Sequence, residues 1–383
     1  MIKRILFFTI ALISVSLFAQ KNDSSVTFLF MGDIMQHDRQ FIPEFDSASN
    51  KYDYSGYYKY VSPIIKQADV AVANLEVTLA GKPYSGYPQF SAPDELAVYS
   101  KQAGIDYMTT ANNHSNDKGK KGVLRTIKML DSLEVNHLGT YINDSLRKAT
   151  YPYVIQKNGI KVALLNYTYG TNGIPDKAPT IVNRIDKKII LEDIKAAKAK
   201  NVDKIIVVAH WGKEYQTHPD DYQKNIGNFL LKNGVDIVVG GHPHYIQPME
   251  YYKEGTYGSV KDERLIAWSL GNFVSGQYAR RKDGGCMLQF DLVLQADGRV
   301  KIKNQGYYLT WVWAKAIDGN MKKHLICPVS EFVQTDKIDL LNPSRKTKIN
   351  TFKADSEALF NADNKLVPQY IFNSVSNTWE LEK

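Results

Sequence analysis

The sequence predicts an α/β fold, a mixed sheet or two packed sheets with helices outside. Three observations predict it. Continuous apolar runs, each followed by an amphipathic stretch, recur through residue 245, the pattern of strands buried on both faces. Beyond 245 the amphipathic stretches give way to strands joined by turns. Several of the early strands finish in side chains that bind metals.

The elements follow in order. Residues 26–31 read as a strand closed by Gly32-Asp33. Residues 57–67 read as a helix, and 70–73 as a strand ending in Asn74-Leu75-Glu76. A helix over 94–103 precedes a strand over 105–111, which ends in Asn112-Asn113-His114. Residues 119–133 form a helix with Val123, Leu124, Ile127 and Leu130 on one stripe. Residues 153–155 and 160–165 pair as a hairpin around Asn158-Gly159. A basic helix over 185–200 leads to a strand over 204–209, ending in His210-Trp211-Gly212. A helix over 220–232 leads to a strand over 235–239, ending in Gly241-His242-Pro243-His244. Residues 246–252, 265–269, 287–294 and 300–308 then read as a β meander, with Asp297-Gly298 turning the last pair. After 308, Trp311, Trp313 and Phe332 predict a C-terminal extension, 309–383, packed on a main domain over 24–308. Residues 336–383 are polar and weakly patterned.

Composition narrows the class. At 44% hydrophobic and 23% charged, the 383-residue chain is a globular protein with ample core, not a disordered one. A net charge of +8 without a dense Lys/Arg tract argues against a nucleic-acid partner. Lys3 and Arg4 precede an uncharged apolar run to Phe18, shorter than the ~20 residues that span a bilayer. This reads as a signal peptide over 1–19 with cleavage before Gln20, and hence as an exported protein, periplasmic, cell-surface or extracellular. Leu17 departs from the small-x-small pattern, which leaves an uncleaved anchor as the alternative. Without residues 1–19 the chain holds 46 basic and 40 acidic residues, a net +6. Cys286 and Cys327 can pair or stay as buried thiols, and they match no metal motif.

The strand ends carry the chemistry. Asp33, Glu76, Asn113, His114, His210, His242 and His244 all fall where the carboxyl ends of neighbouring strands open onto one crevice. Taken singly, Asp33 reads as a turn or cap, Asn113 as a turn residue and His210 as a packed imidazole. The Gly-His-Pro-His run is more specific: in an extended segment both imidazoles point to one side. Carboxylate, amide and imidazole donors together suit Mn, Zn or Fe. Their number exceeds one tetrahedral ion and fits two divalent ions sharing a carboxylate, ~3.5–4 Å apart.

In this order, Gly32-Asp33, Asn74-Leu75-Glu76, Ala111-Asn112-Asn113-His114 with Asp117, His210-Trp211-Gly212 with Glu214-Tyr215, Gly241-His242-Pro243-His244 and Ser269-Leu270-Gly271-Asn272-Phe273 resemble the poly-gamma-glutamate capsule synthesis (CapA) family. That family is related to the calcineurin-like metallophosphoesterases. The resemblance implies four layers, two mixed β-sheets sandwiched between helices, with a two-metal site. It implies Asp33 and His244 on the first metal, Asn113, His210 and His242 on the second, and Glu76 as the bridge. His114 matches the histidine that protonates the leaving group. Asn74, Asp117, Glu214 and Asn272 are implied as supporting or substrate contacts. One departure is plain: the phosphoesterases carry Asp-x-His where this chain has Asp33-Ile34-Met35. His37 is the candidate to replace the missing ligand. The implied function is capsule or cell-envelope polymer metabolism by a metal-dependent hydrolase acting on an anionic polymer. The rival readings are a non-catalytic accessory of a membrane synthase or exporter, and metal-dependent peptide-bond chemistry.

Overall fold

A computed structural model describes residues 24–318 and 321–382, and the segment read as a signal, 1–19, lies outside the described residues. Strands β1 (Ser25–Ile34), β2 (Val70–Leu75), β3 (Tyr107–Thr109) and β4 (Asn136–Leu138) lie side by side and parallel. Helices α1 (Glu95–Ala103) and α2 (Gly119–Ser132) make two of the crossovers. The hairpin β5 (Tyr153–Lys157) and β6 (Ile160–Thr168) starts a second sheet. It grows in parallel through β7 (Lys204–His210) and β8 (Ile237–Gly241), reached by α3 (Lys187–Ala199) and α4 (Asp221–Lys232). β9 (Ile246–Tyr252) is its edge, antiparallel to β10 (Arg264–Leu270), which pairs parallel with β8. The chain then returns to the first sheet as β11 (Asn272–Val274), β12 (Gly284–Leu294), β13 (Val300–Asp318) and β14 (Met321–Pro328). The first sheet runs β14-β13-β12-β1-β2-β3-β4, with β11 paired to β1, and the second runs β9-β10-β8-β7-β6-β5.

The period-two alternation of β1 explains the layers. Phe28 and Phe30 face the inter-sheet core, where Phe30 and Val72 meet Val208 and Val239 of the second sheet. Leu29 and Met31 face the other way, into a core shared with Leu96 of α1 and Leu130 of α2. Ile190 and Ile194 of α3, and Ile226 and Leu230 of α4, cover the second sheet. The architecture is therefore two mixed sheets between helices. Each fully buried Phe, Leu or Ile contributes ~1.5–3 kcal/mol.

The structure corrects several local expectations. Of residues 57–67, only Ser62–Ile65 is helical. Pro63 falls in the first turn, where a missing N–H goes unused, so it marks the start of this helix rather than its interior. The strand expected over 105–111 is only Tyr107–Thr109. The stretch after 245 is not a simple meander: β10 inserts beside β8 and the chain changes sheets at Gly271, whose φ is +67°. A Cβ on Gly32 would sit 2.0 Å from the Gly271 carbonyl oxygen, so this crossover needs glycine at position 32.

β13 runs continuously through residues 308 and 309. Beyond it, α5 (Pro343–Asp363) buries Ile349, Phe352, Ser356 and Phe360, with the Phe360 ring 4.5 Å from Tyr307. A serine in that stripe hides its apolar face from a sequence reading. Cys286 and Cys327 are both free and buried.

Candidate metal centre

The carboxyl ends of the parallel strands from both sheets meet at one buried cluster. Asp33 closes β1, where the pairing with β2 shifts register, and its N–H donates to Gly271 O at 3.0 Å. Asn74 on β2 donates from Nδ2 to Asp33 Oδ1 at 2.8 Å. The same amide nitrogen is 3.3 Å from His210 Nδ1 at the end of β7, so Asn74 touches both halves of the cluster. Its own Oδ1 accepts from Asn112 Nδ2 at 3.2 Å. Glu76, one residue past β2, is fully buried, and neither of its oxygens has a hydrogen-bond partner.

The histidines gather around these carboxylates. Glu76 Oε1 lies 3.5 Å from His210 Nε2 and 3.9 Å from His244 Nε2. His244 Nδ1 is 3.4 Å from Asp33 Oδ2. Two groups could each hold a metal ion: Glu76, His210 and His242, and Asp33, Glu76 and His244. Within each group the ligand atoms lie within 4.8 Å of one another, and Glu76 belongs to both. Asn113 borders the first group, its Oδ1 2.8 Å from His210 Nε2.

The His242–His244 segment is not extended, contrary to the sequence expectation. His242 has φ +97° and His244 φ +56°, a conformation that costs a non-glycine residue free energy and is held by its surroundings. The His242 N–H donates to Asp33 Oδ2 at 3.3 Å, so the turn wraps that carboxylate. The two rings stand 6.0 Å apart and belong to different groups.

The residues fit divalent cations on their own chemistry. Both oxygens of Glu76 and Nδ1 of His242 and of His244 are buried without hydrogen bonds. Such groups are costly unless something compensates them. Without a cation, burial and the facing Asp33 carboxylate push Glu76 well above the usual carboxylate range. Burial pushes Asp33 upward too, but the His244 contact and the charges of His210 and His244 outweigh it and hold Asp33 low. Burial lowers His210 to about 3 and holds His242 well below the usual imidazole range, so both imidazoles are neutral and able to coordinate. This oxygen and nitrogen donor set suits Mn, Zn or Fe.

His114 stands beside the cluster as part of a pair. Its Nδ1 is 2.7 Å from Asp117 Oδ2, which also accepts the Phe90 N–H at 2.7 Å. The carboxylate assigns the proton to Nδ1 and leaves Nε2 available. The Phe90 ring packs edge-on against His114 at 4.6 Å. The same ring lies 5.3 Å from that of His37. His37 belongs to neither metal group: its Nδ1 meets Gln40 Oε1 at 3.1 Å and the Gly276 N–H at 3.3 Å. Met35 is buried, with the Ser275 hydroxyl on its sulfur at 3.7 Å. Asn272 pairs in register with Asp33, donates to Lys282 O at 2.9 Å and keeps a buried, unpartnered Oδ1. Glu214 is exposed in the loop after β7.

Two contributors escaped the sequence reading. The Tyr169 ring lies 4.6 Å from His242. Asn166 fastens the layer beneath, its Oδ1 accepting the Ala111 N–H at 2.8 Å and its Nδ2 donating to Val208 O at 3.1 Å. Each stands on or just past a strand end, the one signal that marks it.

Two sheets between helices, with a buried acid–histidine cluster at the strand ends that could hold metal ions, define the class: a layered α/β protein with a candidate metal centre. The chain belongs to the bacterial capsule synthesis protein PGA_cap family, which matches residues 27–277. It is 29% identical over 286 residues to the capsule biosynthesis protein CapA of Bacillus anthracis, covering 71% of this chain and 65% of that protein. It therefore spans slightly less than two thirds of that relative. It is 28% identical over 291 residues to the PGA biosynthesis protein CapA of Bacillus subtilis (strain 168), covering 73% and 71%. Among solved structures it is similar to the NAD nucleotidase NadN of Haemophilus influenzae, with TM-score 0.47, 14% identity and coverage of 86% and 62%.

The departure at Met35 yields a prediction. The Asp33 group lacks the histidine that position would supply, so two unequal metal affinities are expected, with the Glu76–His210–His242 group filled first. Met35→His should tighten the weaker site, while His37→Ala should leave the titration unchanged because His37 is engaged elsewhere. Calorimetric titration of Mn into the three proteins checks this. Two equal sites in the wild type, indifferent to both substitutions, would refute it.

Proposed function

We propose that this chain is an exported, metal-dependent hydrolase of capsule or cell-envelope polymer metabolism, acting on an anionic polymer. Glu76 carries the reading: a fully buried carboxylate shared by two acid–histidine groups, both oxygens unsatisfied. When bound, two divalent ions would supply Lewis acidity and make water a better nucleophile near neutral pH. The chain's residues do the rest. Asp33, Glu76, His210, His242 and His244, with Asn113, would hold the ions. Asn74 orients Asp33 and His210 together. His114, its Nδ1–H held by Asp117, would act as the imidazolium, giving its second proton from Nε2 to the leaving group and returning to the Nδ1–H tautomer. The net +6 of the chain after residue 19 would steer a polyanion toward the protein.

The test combines elemental analysis with activity on a phosphodiester and on a gamma-linked glutamate polymer. Bound Mn, Zn or Fe together with metal-dependent turnover of either is expected. Turnover of the polymer alone would move the chemistry to the amide bond. Metal without turnover of either would favour an accessory subunit of a membrane synthase or exporter. No metal uptake at all would overturn the ligand assignment. Export is checked by N-terminal sequencing, which should begin at or near Gln20; an intact Met1 on a cytoplasmic product would refute it.

A further inference from the structure

A run of cations lies beside the metal-binding cluster and takes no part in it. Tyr215 stands between the two regions, 6.1 Å from His244 and 5.9 Å from Tyr245, ring to ring. The Lys282 ammonium lies 3.9 Å from the Tyr215 ring centroid, and no ion pair to it occurs among the described residues. Arg280 and Arg281, immediately before it, share one carboxylate, Asp355 of α5, at 2.5 and 3.6 Å. Two guanidiniums share one carboxylate, while the Lys282 ammonium beside them has none among the described residues; Asp283, next in the chain, turns inward to the Trp311 N–H. Arg39 reinforces the charge from 5.2 Å over the Tyr278 ring.

Tyr245 and Arg281 also line a cavity of about 270 Å³ whose far wall is α5, through Phe352, Ser356 and Leu359. Its acidic residues are already engaged, Asp355 by the arginines and Asp363 by His218 at 3.2 Å. The cluster, the Tyr215–Lys282 pair and the cavity thus follow one another along the surface. We infer that the Arg280–Lys282 loop and this cavity form a binding subsite for a linear polymer with a carboxylate on every repeat, holding units beyond the one at the metal centre. The inference rests on the polymer reading above. The apolar wall takes the methylenes of the repeat, and Lys282, with Arg281 held only at 3.6 Å by Asp355, takes its carboxylates. Arg280 is spent on Asp355, which it grips through Nε and Nη2 at 2.6 and 2.5 Å, so it ties the loop to α5 rather than meeting the polymer. α5 lies outside the family-matched residues 27–277, so the C-terminal stretch gains a role in recognition.

The test measures binding of gamma-linked glutamate oligomers, two and about eight units long, to wild type and to an Arg281→Ala/Lys282→Ala double variant. Exposed ion pairs contribute about 0.2–1 kcal/mol each, so the double variant should weaken the longer oligomer roughly 2- to 30-fold. The two-unit oligomer should bind equally to both proteins. Leu359→Glu, which puts a negative charge in the cavity wall, should weaken the longer oligomer as well. Unchanged binding in both variants would overturn the subsite. Tighter binding of a polyphosphate of equal charge would overturn the carboxylate assignment. Phosphodiester turnover in the same variants separates this from the hydrolase reading. If wild type turns nothing over while the length-dependent binding falls in the variants, the hydrolase fails and the subsite stands.

Discussion

Glu76→Gln is expected to empty both metal groups at once while making the metal-free protein more stable. Glu76 is the one carboxylate common to the two groups, so its removal weakens each by on the order of 100-fold or more, beyond the 10–100-fold typical of losing a supporting residue. The stability gain has a pH signature. The folded, metal-free chain holds the Glu76 proton well above 4.5, where the unfolded chain has released it. Stability is therefore complete below about pH 4.5 and falls as pH rises toward the folded value. Glutamine has no proton to lose. The advantage of the variant should be small at pH 5 and reach about 1–3 kcal/mol at pH 8, the cost of an unsatisfied buried polar group. Urea unfolding in chelator at the two pH values measures it, and adding Mn should stabilise the wild type only. A variant that still binds two metals, or loses stability at pH 8 in chelator, would show that Glu76 does not occupy the centre of the site.

His114→Ala should lower turnover about 10²- to 10⁴-fold, the range for a positioned general acid, while metal content stays unchanged. The loss depends on the leaving group. A nitrophenolate departs without a proton, so a nitrophenyl phosphodiester should be cut almost normally, whereas an alkyl ester should not. Asp117→Asn should give a smaller loss, because it frees the imidazole tautomer that the 2.7 Å contact sets. The Phe90 N–H keeps an acceptor in the asparagine, so the loop it anchors should hold. Equal losses on both esters would assign His114 to substrate binding rather than proton transfer.

The amino-acid sequence alone determined the alternation of strands and helices and the residue types at the strand ends. Both are local properties: a buried strand must be apolar throughout, and a polar residue is tolerated where the strand stops. Asp33, Glu76, His210, His242 and His244 were legible as candidates for that reason, and the structure brings them together in one buried cluster. Which ligand joins which group was not a local matter. His242 and His244 part company because both take positive φ around the Asp33 carboxylate, a conformation imposed by residues more than two hundred positions away. The link through Asn74 depends on strands of two different sheets ending at the same depth. The crossover at Gly271, where the backbone passes close to Gly32, and the seating of α5 beside Tyr245 and Arg281 likewise required contacts between distant segments. Periodicity along a chain reports which face of an element is buried, but carries no record of what buries it, so only the tertiary structure could decide these.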